Sequence, residues 1–331
     1  MAFERKECRI GNVYLIDTMQ FNMDTITSVF CYSDGNKSLL MDIGTSENID
    51  AVFNSLTRRG VSLESIEGIV LSHYHFDHGG GSAELWSRMR SINKNFKVYT
   101  NSITKKNLQN SAGHLGGART TFGKFVGTME YLPDEAFYIV EPDDFLPVEF
   151  AGGERVKLIH TPGHTTDHCS PSVILGDRTV FTFAGEALGT IYTNDKMLST
   201  PTSMPPNFSY EDYISSMDKL KSMNPELIGF CHFGIISGSE DINFVFNDHR
   251  DFMDRFRQEI IDAFNENPAT SHVLAKTEYL WKDRIDSEFA KIKGSEAFFG
   301  NLRLALTYGV MVDLGFRNPK YESKTSVNPR L

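Results

Sequence analysis

The chain has few cysteines and no closely spaced cysteine pair. Its 331 residues include four cysteines, and these lie far apart at Cys8, Cys31, Cys169 and Cys231. The dense disulfide framework of a small secreted domain is therefore excluded, and so is a CxxC metal or redox motif. We expect reduced, mostly buried thiols, with Cys169 acting as a small buried hydrophobic residue.

Long apolar runs are also missing. The segment 1–12 carries charged side chains where a signal peptide would need an apolar stretch, and no apolar run of roughly 18 residues follows. The sequence thus predicts a cytoplasmic protein without a membrane partner. No self-similarity at a fixed period is present, which argues against a solenoid.

Basic residues are in the minority. The 33 Lys and Arg residues face 43 Asp and Glu residues, which gives a formal charge of −10. This charge repels a phosphate backbone, so we expect no nucleic-acid partner. With 40% hydrophobic and 23% charged residues, the chain can bury a large core. Its length allows one large domain with an extension, or two domains.

Short β-type runs alternate with helical patterns in the first half of the chain. Runs on both sides of the turn cluster at 33–36 predict an antiparallel hairpin. Apolar spacing at 46–59 predicts a helix capped by Ser46. A buried strand at 66–71, a helix at 82–92 and a strand at 96–99 follow. The glycine-rich stretch 111–127 shows no period from which it can be assigned.

In the second half of the chain, strand-like patterns give way to helical ones near residue 239. Strand-like runs between 137 and 183 predict a second sheet, and a helix at 210–223 begins after Ser209 as its N-cap. A short strand at 227–231 follows. Three helical patterns then cover 242–264, 271–285 and 297–315. We expect a domain at 1–238, an all-helical extension at 239–317, and a loose tail at 318–331.

One short segment concentrates potential metal ligands. Of the ten histidines, three lie with an aspartate in the pattern His73-x-His75-x-Asp77-His78, directly after the predicted strand at 66–71. Imidazole and carboxylate groups bind zinc, iron and manganese. The alternation aims His73 and His75 at one cation, and Asp77 and His78 at a second.

Two four-coordinate cations need further ligands, and the candidates are few. His164 follows the predicted strand at 156–160, Glu186 follows the one at 179–183, and His232 follows the one at 227–231. Four strand ends that carry such side chains are expected when one edge of the sheets builds a site.

These ordered motifs resemble those of the metallo-β-lactamase-fold hydrolase superfamily over about residues 8–238. The resemblance implies an α/β fold, an αββα sandwich, with a dinuclear site at one edge of its two sheets. On that pattern His73, His75 and His164 bind one metal, and Asp77, His78 and His232 bind the other. Glu186 takes the bridging position. The implied cofactors are two divalent ions, zinc first, with iron or manganese as alternatives.

Two details refine the resemblance. The bridging residue of the superfamily is usually aspartate, so Glu186 is a departure that bears on metal separation and identity. Flavodiiron members carry an acidic residue where this chain has His75, which favours the hydrolytic branch. The runs 163–168 and 185–189 also resemble the subgroup of quinolone-signal response thioesterases, whose members carry a helical extension over the site.

Other residues are candidates around the metals. We expect His168 and Asp42 to hydrogen-bond to ligands and orient them. His114, Arg119, Tyr192 and Phe208 are candidates for a substrate pocket. His249 and Arg250 are expected on a solvated helix face. The aromatic residues of the extension predict packing on the sandwich, a lid over an apolar substrate, or a homodimer surface.

The leading function is a metallo-hydrolase that binds a small-molecule substrate. A metal-activated water attacks the carbonyl of an ester, a thioester or a lactone, and Asp77 is the candidate proton acceptor. One alternative is an iron-dependent oxygen or redox enzyme on the same scaffold. Another is a sensor or partner-binding protein with a vestigial metal site.

Overall fold

Two sheets of seven strands each form the framework of the computed structural model, which describes residues 3–193, 195–285 and 295–318. The sheets pack face to face through large side chains. Phe30 of the first sheet, for example, lies with its ring centroid 5.2 Å from that of Phe181 and 5.4 Å from that of Phe183 in the second. These rings are fully buried, so the inter-sheet layer is an apolar core.

The strands are numbered along the chain. In spatial order the second sheet contains β1 (Phe3–Glu4), β14 (Gly234–Ser237), β13 (Leu227–Phe230), β12 (Arg178–Phe183), β11 (Cys169–Leu175), β10 (Arg155–His160) and β9 (Phe145–Glu149). The first sheet contains β2 (Cys8–Ile10), β3 (Val13–Asp17), β4 (Ser28–Ser33), β5 (Ser38–Met41), β6 (Ile66–Val70), β7 (Lys97–Thr100) and β8 (Phe137–Ile139). The predicted hairpin is confirmed, because β4 and β5 pair antiparallel. The expectation that all runs from 137 onward build the second sheet is wrong for β8, which pairs parallel with β7.

Helices cover the outer face of each sheet. The helices α1 (Ile49–Arg58), α2 (Ser82–Ile92), α3 (Ser102–Gln109) and α4 (Ala112–Phe122) share a buried cluster with the first sheet. The helices α5 (Tyr210–Ser222), α6 (Ser239–Glu266), α7 (Thr270–Thr277) and α8 (Ser295–Asp313) share one with the second sheet. The order of layers is therefore αββα, as the resemblance implies. None of these helices, within the described ranges, is long and apolar enough to cross a membrane.

Local sequence explains the start of α5 but not that of α1. The Oγ of Ser209 accepts a hydrogen bond from the backbone N–H of Asp212, as predicted for an N-cap. Ser46 does not cap α1, because residues Ser46–Asn48 form a short 3-10 turn and Asn48 precedes the helix. The unassigned stretch contains α4, whose glycines weaken the helix propensity while Leu115 and Ala118 pack inward.

The C-terminal helices share their core with the sandwich. The helix α6 begins at Ser239, where the boundary is predicted, and its Phe252 and Phe256 join a buried cluster with Phe230 of β13. The second helical pattern is shorter than expected, because α7 ends at Thr277 and a 3-10 turn follows. The division into domains stays a prediction. Most of the predicted loose tail, 319–331, lies outside the described residues.

Candidate metal centre

The loop after β6 delivers four candidate ligands to one edge of the sandwich. It turns back on itself through backbone hydrogen bonds, in which His78 N and Gly79 N donate to the carbonyl oxygen of His75. Gly80 makes the turn possible, because a Cβ at this position would lie 1.9 Å from the carbonyl oxygen of Phe76. The tight loop explains how residues so close in sequence face one centre.

A first group of donors joins the loop to two other strand ends. His73, His75, His164 and Glu186 place one ligand atom each within 4.8 Å of one another. The Nε2 of His164 lies 3.0 Å from the Nδ1 of His75 and contacts Glu186 Oε2. The same Oε2 lies 4.0 Å from the Nε2 of His73. Three imidazoles and one carboxylate therefore converge.

A second group shares Glu186 with the first. His78, Glu186, Cys231 and His232 also have ligand atoms within 4.8 Å of one another. Asp77 borders this group, with Oδ2 3.5 Å from His232 Nε2 and Oδ1 3.9 Å from His78 Nε2. The other oxygen of Glu186, Oε1, lies 3.5 Å from His232 Nε2. Glu186 thus presents one carboxylate oxygen to each group.

Cys231 is the residue of this cluster that the sequence reasoning left out. The signal that could have identified it is its position next to His232. Its Sγ donates a hydrogen bond to the carbonyl oxygen of Gly185, 3.0 Å away. Burial raises the pKa of Cys231 well above its ordinary value, so the side chain is a thiol and not a thiolate in the metal-free protein.

Backbone carbonyls hold two of the histidines in one tautomer. The Nδ1 of His164 donates to Thr202 O at 2.6 Å, and the Nδ1 of His232 donates to Ile26 O at 2.8 Å. Since the proton of each neutral ring then sits on Nδ1, each Nε2 keeps a lone pair directed at the centre. This is the arrangement that metal-ligating histidines require.

Two further polar residues orient the ligands without joining them. The carboxylate of Asp42 accepts from Ser72 N at 2.7 Å and from Ser72 Oγ at 2.6 Å, and it also faces the Nδ1 of His78. His168 accepts from Glu186 N at 3.0 Å and donates from Nδ1 to Thr161 O at 3.1 Å. Both nitrogens of His168 are engaged, and burial lowers its pKa to about 3, so the ring is a neutral support.

The electrostatics of the centre favour a cation. Burial and neighbouring imidazoles hold the pKa values of His73 and His75 well below their ordinary range. The pKa of Glu186 is also held well below its ordinary range, because the imidazoles of His164 and its neighbours outweigh burial. For His78, burial is outweighed by the carboxylates of Asp77, Asp42 and Glu186, which raise its pKa to about 9.

Two buried nitrogen atoms show whether these residues are suited to binding a metal ion. Within the described part of the chain, His73 Nε2 and His78 Nε2 are buried and have no hydrogen-bond partner. Leaving buried polar atoms unpaired is unfavourable by about 1–3 kcal/mol each. Because imidazole nitrogens and carboxylate oxygens are ligands of divalent transition metals, these residues fit such ions at both groups.

A cavity of about 350 Å³ opens on the centre. Its lining includes His75, Asp77 and Glu186 together with His114 of α4. A smaller cavity, about 50 Å³, reaches Asp77 and His232 from the side of Tyr192. Three groups that the sequence did not single out also line these cavities, namely the residues of α4 around His114, the segment 204–207, and Leu302 and Ala305 of α8. Phe298 of α8 lines the smaller cavity and is one of the extension aromatics for which a lid was an alternative.

The four candidate pocket residues separate into two pairs. His114 lines the large cavity and Tyr192 the small one, whereas Arg119 and Phe208 line neither. Arg119 is exposed and donates to Gly127 O at 3.4 Å. Phe208 is buried against Tyr213, with ring centroids 5.7 Å apart, so it belongs to the core under the second sheet.

The expectation for His249 is wrong. It is fully buried, with Nδ1 2.7 Å from Ser199 Oγ and Nε2 2.8 Å from Tyr213 Oη. It lies on the apolar face of α6, between Val245 and Phe252, and that face packs inward. Arg250 on the next position is half-exposed and pairs with Asp218 at 2.9 Å.

Known proteins resemble this chain in sequence and in fold. A metallo-beta-lactamase fold-containing protein of Sulfurisphaera tokodaii is 30% identical over 217 residues, which are 64% of this chain and 74% of that protein. The crystal structure of an archaeal metallo-beta-lactamase superfamily protein from Sulfolobus tokodaii superposes with a TM-score of 0.63 at 22% identity, covering 92% of this chain and 98% of that chain.

A second solved structure supports the same fold. A metallo-beta-lactamase family protein from Thermus thermophilus superposes with a TM-score of 0.62 at 14% identity, over 92% of this chain and 94% of that one. The family profile described as the Metallo-beta-lactamase superfamily matches residues 23–232, which contain every candidate ligand discussed above. The chain therefore belongs to the metallo-beta-lactamase superfamily.

Proposed function

We propose that this protein is a metal-dependent hydrolase of esters, thioesters or lactones. The observation that carries the proposal is the pair of donor groups that share Glu186 and border a cavity of about 350 Å³. His73, His75 and His164 would hold one divalent ion, and Asp77, His78 and His232 the other, with Glu186 between them. Zinc is the first candidate, and iron and manganese are the alternatives.

The ions supply the chemistry that the side chains lack. When bound, divalent cations lower the pKa of water towards neutrality and polarise a carbonyl oxygen. The chain itself offers no evident nucleophile in the described part of the centre. The Cys231 thiol is buried and donates a hydrogen bond to Gly185 O, so it is poorly suited to attack a substrate.

Asp77 is placed to move a proton. Its side chain is 19% exposed, whereas that of His78 is 1% exposed, and it lines both cavities. A carboxylate at the boundary between the buried donors and the cavity can accept a proton from water and pass it to the leaving group. Asp77 is therefore the proposed proton acceptor as well as a ligand.

The test combines metal analysis with a substrate panel. Wild-type protein is stripped with a chelator, reloaded with zinc, manganese or iron, and assayed on p-nitrophenyl esters, thioesters and lactones. We expect hydrolysis to vanish on stripping and to return on reloading, and Asp77→Asn to lower kcat by at least about 100-fold. Full metal content without turnover of any substrate would contradict the hydrolase. Oxygen consumption by the iron form would favour the redox alternative.

A further inference from the structure

One ring in the cavity wall has its protonation state fixed by the backbone. The backbone N–H of Phe76 donates to Nε2 of His114 at 3.0 Å. A backbone nitrogen can only donate, so Nε2 carries no proton, and the proton of the neutral imidazole must sit on Nδ1. The ring also stacks on His75, with centroids 4.7 Å apart and planes 5° apart. His114 is therefore held in one tautomer and one orientation.

The Nδ1–H of His114 is a donor without a described protein partner. No hydrogen bond joins it to a described residue, and the atom is not among the buried unpaired atoms of the described chain. His114 lines the cavity that also contains Asp77 and Glu186. A donor that is fixed in place, open to solvent and close to the candidate centre is suited to an acceptor atom of the substrate.

The rest of the cavity wall, as far as the structure describes it, has no positively charged side chain. Apart from the candidate ligands, the described wall consists of aromatic and aliphatic side chains together with glycines, hydroxyls and amides, and no described Lys or Arg lines either cavity. An anionic substituent lying along α4 would lose its hydration without gaining an opposite charge from these side chains. An uncharged substituent with an acceptor atom would not carry this cost.

We infer that the cavity takes uncharged substrates and that His114 recognises them. The inference rests on the proposed function and deepens it. The substrate class is a neutral ester, thioester or lactone that has an apolar chain and a carbonyl or hydroxyl oxygen close to the scissile bond. The apolar chain lies along α4, and the Nδ1–H of His114 donates to the acceptor oxygen. His114 is a specificity-determining residue and not a metal ligand.

The glycines of α4 offer a matched pair of probes. Gly117 lines the cavity, while its neighbour Gly116 is exposed and lines neither cavity. An added Cβ meets nothing within 4 Å at either position. Leucine at either site therefore avoids an immediate backbone clash and raises helix propensity by a similar amount. Only Gly117→Leu reduces the space available to a substrate chain.

The first measurements use metal-loaded wild type and the two glycine variants, with metal content determined for each. We expect p-nitrophenyl pentanoate to be hydrolysed at least about tenfold faster, in kcat/KM, than the glutarate half-ester, which places a carboxylate at the end of the chain. Gly117→Leu should lower kcat/KM for the hexanoate relative to the acetate by about tenfold or more, while Gly116→Leu leaves that ratio at the wild-type value.

The role of His114 is tested with a pair of substrates that differ in one acceptor. Wild type should prefer a 3-oxohexanoyl over a hexanoyl thioester of N-acetylcysteamine by about tenfold, the value of one hydrogen bond. His114→Phe should abolish this preference, and His114→Asn, whose amide still offers an acceptor for Phe76 N–H and a donor, should retain part of it. Equal rates on both substrate pairs in wild type would overturn the inference.

Binding of unreactive methyl ketones with the same chains separates the two proposals. Calorimetry should show tighter binding of the neutral ketone than of the analogue with a carboxylate at the end of its chain. Gly117→Leu should weaken binding of the neutral ketone, whereas Gly116→Leu should not. If this pattern holds without any ester hydrolysis, the proposed function fails and the inference on recognition stands. If esters are hydrolysed without discrimination in either assay, the inference fails and the hydrolase stands.

Discussion

The Nδ1 atom of His78 lies 2.8 Å from Oδ2 of Asp42, and both side chains are almost fully buried. Asp42 follows β5 and His78 lies in the loop after β6, so the contact joins two neighbouring strand ends. Asp42 adopts a positive φ of 57°, a conformation that Asp and Asn tolerate better than most residues. The carboxylate thereby fixes the ring of His78 with Nε2 directed at the second donor group.

Asp42→Asn should weaken metal binding without removing a ligand. The amide tolerates the positive φ but removes the negative charge that supports the His78 ring, and loss of such a partner typically lowers metal affinity about 10–100-fold. Competition with a chromogenic chelator would measure the affinity of the more weakly bound metal ion. Asp218→Asn, which removes a partner of the half-exposed Arg250, is the control. Equal affinities in Asp42→Asn and wild type would show that Asp42 does not orient the ligand.

Glu186→Gln should lower the occupancy of both ions together. Its two oxygens face different donor groups, with Oε1 at His232 and Oε2 at His73 and His164. A neutral amide removes the shared negative charge that offsets two dications, so we expect both affinities to fall by about tenfold or more. Metal analysis after dialysis measures this directly, with two equivalents expected in wild type. Glu226→Gln, at an exposed ion pair with Arg178, controls for a general effect.

The candidate ligands were predictable because they follow strand ends in sequence. The strands β6, β10, β12 and β13 end at Val70, His160, Phe183 and Phe230, and candidate ligands follow each within a few residues. Buried β-branched and aromatic runs mark such strands clearly. The residues that directly follow these strands then lie together at one edge of the sheets.

The cavity wall was not predictable in the same way. The helix α4 contains three glycines and a weak apolar pattern, so neither propensity nor periodicity identified it. The contribution of Phe298 and Leu302 depends on how α8 returns to the sandwich, which is a long-range contact without a local signal. The burial of His249 was also not predictable. An imidazole on a helix is expected at the surface unless its buried hydrogen-bond partners, here Ser199 and Tyr213, are known.

Buried His249 should make stability depend on pH. Burial lowers its pKa to about 3 in the folded protein, against about 6.5 in an unfolded chain. The unfolded state therefore binds more protons between these values, and the contribution of His249 is fully present above about pH 6.5 and falls as the pH drops. His249→Gln keeps a donor and an acceptor but removes this titration.

The measurement is the free energy of unfolding in urea for metal-depleted wild type and His249→Gln. Between about pH 4 and 6 the slope for wild type should exceed that for the variant by about 1.4 kcal/mol per pH unit. Between about pH 7 and 8.5 the two slopes should agree, which serves as the internal control. Parallel curves over the acidic range would mean that His249 does not remain neutral in the folded state.

The last prediction concerns the extension as a cover for the cavity. Phe298 of α8 packs against Phe21 and Phe122, with ring centroids 5.9 Å from each, and it borders the small cavity beside His232. If α8 encloses the substrate, Phe298→Ala removes an apolar wall and admits water. We expect kcat/KM for the hexanoate ester to fall several-fold relative to the acetate. The cost in stability should be about 2 kcal/mol, since the side chain is only partly buried.

Leu304 on the same helix provides the control, since it is 40% exposed and lines neither cavity. Leu304→Ala should leave the ratio of the two esters unchanged. A homodimer surface on the extension predicts the reverse pattern, in which Leu304→Ala changes the oligomeric state seen by size-exclusion chromatography with light scattering, and neither variant alters the ester ratio. Because a lid acts on the bound chain and a dimer surface acts on association, the ester ratio and the molar mass together decide between them.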